Sequence, residues 1–267
     1  MTRGALALLG DIRIIAAMSA HLAMRSGNPA LTADTFRVPR VGFGNDAMTI
    51  GGTVNKTSLA LLILVAAASW TWNLGPADPR VPMLTMGGVL GGLIAAVATT
   101  MKKEWAPYTT PAYAALEGLA LGGISVGFEA RYPGLVSQAV FLTFGTLGVL
   151  LLAYRSGLIR ATENFKLGIV AATGGIFLVY LIEFVMSFFG ASIPLIHGSG
   201  AIGIGFSVLV VGVAALNLVL DFDFIEQGAE QGAPKYMEWY GAFGLLVTLV
   251  WLYLEMLRLL SKLQERD

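Results

Sequence analysis

Seven runs of about twenty mainly apolar residues, separated by short polar breaks, constrain this chain more than any other feature. They cover roughly residues 57–75, 83–101, 110–128, 134–154, 167–190, 200–222 and 239–260. A helix of about 20 apolar residues spans the hydrocarbon core of a bilayer. A chain crossing lipid must also satisfy its backbone polar groups within each segment, which favours helices. The expected fold is therefore all-α: a polytopic membrane protein with seven transmembrane helices. Composition agrees, because only 13% of residues are charged and 56% are hydrophobic, whereas soluble domains carry about 25% charge. The membrane domain is expected over residues 57–263, behind an N-terminal cytoplasmic tail over residues 1–56.

The breaks are chemically clear. Gly75-Pro76-Ala77-Asp78-Pro79-Arg80, Lys102-Lys103-Glu104-Trp105-Ala106-Pro107 and Glu129-Ala130-Arg131-Tyr132-Pro133-Gly134 read as turns. Residues 155–166 form a basic loop ending in a helix-capping pattern at Thr162. The stretch 190–200 holds Pro194 and His197, the latter read as an exposed loop residue. The last connection, Asp223 to Glu238, is acidic. With the N-terminus inside, the inner segments hold twelve Lys and Arg against five outside. That bias orients the chain with a cytoplasmic N-terminus and an external C-terminus. Residues 5–24 are apolar but broken by Asp11 and Arg13, so they lack a signal-peptide layout. They read as an amphipathic surface helix, or as sequence upstream of a natural start at Met24. Glycines cluster in spans 2, 3 and 6, notably Gly87–Gly92, Gly118–Gly127 and Gly200–Gly212, where close helix approach is expected.

Acids at membrane depth are costly and mark candidate functional sites. Glu117 lies mid-span in the third run and Glu183 in the fifth. Asp221 and Asp223 end the sixth run, with Glu226 beyond, and Glu255 lies late in the seventh. Asn217 shares a helix face with Asp221 four residues away, and Arg258 shares one with Glu255 at i+3. A carboxyl taken out of water tends to keep its proton, and two that meet titrate as a unit. The same oxygens, once ionised, suit a hard cation such as calcium. Blander roles stand beside these: Asp223 and Glu226 as solvated interface acids, Glu183 as an interhelical hydrogen-bonding group, and Glu255 as the local partner of Arg258. The proposed ion pathway and pH gate comprise Asp221, Glu255, Glu117, Glu183 and Asp223, supported by Asn217 and Arg258.

Several segments resemble the transmembrane Bax inhibitor motif family: Glu117-Gly-Leu-Ala-Leu-Gly-Gly123, Phe128-Glu-Ala-Arg-Tyr-Pro-Gly134, Leu220-Asp-Phe-Asp-Phe-Ile225 and Trp251-Leu-Tyr-Leu-Glu-Met-Leu-Arg-Leu-Leu260. The likeness covers roughly residues 25–263 and is nearest to the bacterial branch, where Arg25-Ser-Gly-Asn-Pro-Ala30 resembles a chain start. The resemblance implies a central seventh helix wrapped by six others. It implies a pH-sensitive calcium leak controlled by one acid on span 6 and one on span 7, which fall on Asp221 and Glu255. It also implies a bacterial inner membrane location. In a simple hairpin turning near Pro234, those two acids would differ in depth by about 12 Å at 1.5 Å per residue. Contact between them then needs part of residues 224–238 to be non-helical.

Three function classes compete. A pH-regulated cation leak or transporter, with calcium as cargo, fits the membrane acids. A regulatory protein that binds other membrane proteins, such as a membrane protease, is the alternative. A membrane enzyme is not expected. No histidine lies in a span to hold a catalytic metal or serve a serine nucleophile, and Lys262 lies too near the end of its span for a retinal linkage. The chain has no cysteine, which excludes thiolate metal sites. No resident cofactor or metal and no nucleic-acid partner are expected. The expected partners are the lipid bilayer, calcium or other cations, and a membrane protein.

Overall fold

The computed structural model describes residues 46–190 and 198–266. Residues 1–45 of the expected tail, with Met24, and the loop residue His197 lie outside them. Among the described residues there are seven α-helices: α1 (Ile50–Trp72), α2 (Arg80–Met101), α3 (Ala106–Arg131), α4 (Leu135–Arg155), α5 (Glu163–Ser187), α6 (Ala201–Glu230) and α7 (Met237–Gln264). Six are long and apolar enough to cross a membrane. The remaining one, α3, has 26 residues but carries Thr110, Tyr113, Glu117 and Ser125 among its apolar residues, so its mean hydropathy is lower. The protein is a multi-pass, all-α membrane protein.

Helix ends follow local chemistry. The Thr49 hydroxyl accepts from Gly52 N–H and starts α1, seven residues earlier than the apolar run suggests. Thr162 likewise caps α5 by accepting from Phe165 N–H. Asp78 accepts from the guanidinium and the backbone N–H of Arg80 at the start of α2. Those bonds hold its carboxyl at about 2. Gly134 turns the chain from α3 into α4 at φ 84°, a region open to glycine at little cost. The Glu129 carboxylate accepts from Gly134 N–H at 2.7 Å and Val136 N–H at 3.2 Å.

The seventh helix is central. Along its most apolar 18 residues 61% are buried, against 11–39% in the other five candidate spans. It packs on α1, α3, α4 and α6. Around it the apolar core joins Leu218, Phe222 and Phe224 of α6 with Tyr240, Leu249, Leu252 and Leu257 of α7. Leu135 and Ala139 of α4 close the same cluster. A second cluster seats Tyr113 and Leu121 of α3 on Phe243, Leu246 and Val250. The α2–α3 contact depends on Gly88, where a Cβ would fall 2.5 Å from Leu116 O. Gly118 and Gly122 of α3 likewise press on the α1 backbone. The expected role of glycine in span 6 differs, because Gly200, Gly205 and Gly212 have nothing within 4 Å. Those residues lie where α6 faces outward from the bundle.

The N-terminal segment is tied to the α6–α7 connection. Met48 N–H donates to Ala233 O at 2.6 Å, and Lys235 N–H donates to Asp46 O at 2.8 Å. The connection is short because α6 stays helical to Glu230, well into the stretch expected to be a loop.

Candidate functional site

On α7, Thr248, Glu255 and Lys262 recur every seven residues, about two helical turns or 10.5 Å apart. All three are buried, at 2–3% exposure, and each meets a different layer of α5 and α6. This polar stripe is the candidate site.

The first layer holds Asp221, which is fully buried on α6. Thr248 Oγ1 donates to its Oδ2 at 2.5 Å. Antiparallel packing of α6 against α7 therefore sets Asp221 level with Thr248, and the Glu255 backbone lies about two turns further along. The non-helical link of residues 231–236 is too short to slide Asp221 up to the level of Glu255. Asn217 is equally buried, but its amide donates to Thr173 Oγ1 at 2.8 Å and to Val213 O at 2.9 Å. Those two bonds use both amide hydrogens, so Asn217 ties α6 to α5 instead of donating to Asp221. Its Oδ1 has no hydrogen-bond partner among the described residues.

The next layer centres on Glu255. Its Oε1 accepts from Tyr180 OH of α5 at 2.9 Å and from Arg258. Arg258 also donates to Tyr180 OH at 2.8 Å and lies over that ring, 5.2 Å from its centroid. Glu255 Oε2 is buried with no hydrogen-bond partner among the described residues. Lys262 then donates to Gly203 O at 3.1 Å and Ser207 Oγ at 2.8 Å of α6. Glu183 acts electrostatically on both Arg258 and Lys262. Two acids and two cations thus gather near the C-terminal end of α7.

The opposite end is also charge-matched. Asp223 pairs with the buried Lys166 at 2.7 Å and accepts from Gln227 at 2.7 Å. Glu226 accepts from Tyr154. The sequence reading of both as solvated interface acids gives way to interhelical bonds, because α6 remains helical and packs beyond them. Glu117 points elsewhere. Its Oε2 would lie 2.7 Å from a Cβ on Gly92 of α2, so it fills the space that glycine leaves between α2 and α3.

Sequence reasoning passed over Thr248, Tyr180, Lys166 and Glu238. The seven-residue recurrence of Thr248, Glu255 and Lys262 was the available signal. Among the described residues no three His, Cys, Asp or Glu side chains gather as a metal-holding group. The stripe offers separate oxygens along a path, not a cage.

The family model described as "Bax inhibitor 1 like" matches residues 28–265. No curated protein matches the chain, and no solved structure matches it. The chain belongs to the Bax inhibitor 1-like family.

Proposed function

We propose that this Bax inhibitor 1-like protein is a pH-sensitive cation leak, with calcium as cargo, gated where α6 meets the central helix. The observation that carries this reading is Asp221: a fully buried carboxylate within a membrane-spanning helix, bonded to a hydroxyl of α7. Such a group is expensive to keep in a membrane without a use. Protonated, it offers no charge to a cation. Ionised, it offers the carboxylate oxygen that hard cations prefer. Glu255, with one buried oxygen unbonded, is the next acceptor along α7. The role is transport, not catalysis. The excess of basic residues in the inner segments supports a cytoplasmic N-terminus, and the resemblance to the bacterial branch of the family supports an inner-membrane location.

The test is calcium flux into proteoliposomes across a range of pH. Flux through the unaltered protein changes with pH. Asp221→Asn keeps an acceptor for Thr248 and removes the titration, so its flux becomes flat with pH. Glu255→Gln alters the size of the flux. Flux that is absent, or pH dependence that survives Asp221→Asn unchanged, rules out this gate.

A further inference from the structure

A second feature lies on the other side of α7. Helices α1 and α4 do not pack closely on one another, and between them a crevice of about 360 Å³ opens toward the lipid-facing surface. Its floor is the central helix at Leu249, Val250 and Tyr253, backed by Leu121 of α3. Val65 of α1 and Val140 of α4 stand at its walls, and both are outward-facing, at 44% and 37% exposure. The crevice therefore leads from the bilayer to the buried helix of the bundle.

We propose that this crevice binds one acyl chain of a membrane phospholipid. Water does not suit it, because a buried water needs two to four polar partners. The polar groups on the floor are already engaged. Tyr253 OH and Ser125 Oγ bond each other at 2.7 Å, and Ser125 also donates to Leu121 O at 2.6 Å. An unfilled gap would forfeit dispersion contacts along its entire lining. A slender apolar chain remains, and the hydrocarbon around the mouth consists of such chains. The lining residues fall in the C-terminal halves of α1 and α3, around the middle of α7 and in the first half of α4. The chain accordingly enters from the leaflet on that side. This inference is independent of the ion pathway, since the residues involved face away from Asp221.

The full-length protein is reconstituted in vesicles of phosphatidylcholine containing a phosphatidylcholine with a mid-chain diazirine. After illumination, labelled residues are mapped by peptide mass spectrometry. Lipid in the surrounding annulus reaches exposed positions such as Phe141, 78% exposed. Only a chain inside the crevice reaches Leu249 and Val250, which are 5% and 7% exposed. The expected result is label on residues 249–253 of α7. Val140→Trp and Val65→Trp, from opposite walls, each lower it about tenfold, the cost of excluding about two methylenes. Phe141→Trp leaves it unchanged. Label confined to exposed positions overturns the proposal, as does α7 label equal in all variants. Dimer cross-links through the crevice, with α7 unlabelled, assign it to a second copy instead and also overturn it.

Discussion

Glu238 and Glu255 are both glutamates of α7, both buried, and each sits three residues from a basic partner, yet the fold uses them differently. Glu238 is saturated. Its carboxylate accepts from Thr49 N–H at 2.9 Å, Thr49 Oγ1 at 2.8 Å and Lys235 at 2.9 Å, and also from Lys56. It occupies the space that Gly52 leaves without a Cβ. Among the described residues, Glu255 concentrates both its bonds on Oε1 and leaves Oε2 unbonded. A carboxylate with both oxygens bonded is a clamp joining α1, the N-terminal segment and α7. A carboxylate with an idle buried oxygen keeps capacity for a proton or a cation. Burial alone does not distinguish the two; the count of donors does.

The largest expected effect lies at the clamp. Glu238→Ala leaves Lys56 and Lys235 without their shared anion and removes two bonds to Thr49. Stability should fall by about 3 kcal/mol, as for breaking a buried ion pair. The apparent Tm in detergent measures it, and a loss no greater than that of Glu255→Gln would erase the distinction. A smaller effect is expected for Glu255→Gln. Arg258 keeps its bond to Tyr180, and its side chain is 36% exposed, so the loss should be about 1 kcal/mol. The same unfolding series reads it, and a loss matching the clamp's would make Glu255 a structural anchor. The smallest belongs to Lys235→Ala. That side chain is 47% exposed, and exposed pairs contribute under about 1 kcal/mol. A large shift there would mean that Lys235, not Lys56, carries the clamp.

Much of the scaffold is legible from the sequence. Runs of apolar residues place all seven helices, and the Thr162 cap is visible in its residues. The helix starts are less legible. Thr49 begins α1 within a stretch read as tail, because its cap is completed by Glu238, 189 residues away. Likewise α6 continues through the acids of residues 221–230. Asp223 and Glu226 are satisfied there by Lys166 of α5 and Tyr154 of α4, partners that no local pattern reveals. The acids of the candidate site are legible one by one, since a carboxylate within an apolar run is conspicuous. Their grouping is not. Helical phase correctly puts Glu255 beside Arg258, but it also suggests Asn217 beside Asp221, and the Asn217 amide goes to Thr173 instead.

The sequence by itself determines that this is an all-helical membrane protein, because hydrocarbon thickness and backbone hydrogen bonding leave few other folds for seven such runs. It also determines which side chains are costly to bury. Tertiary structure decides which of those costs are offset. It sets Asp221 opposite Thr248, gives Glu238 four donors, leaves one oxygen of Glu255 without any, and parts α1 from α4 over a crevice. Helix depth and rotation fix each of these. Those depend on which small residues let helices approach, as Gly88 and Gly118 do and Gly205 does not, a property of the packed bundle and not of any one segment.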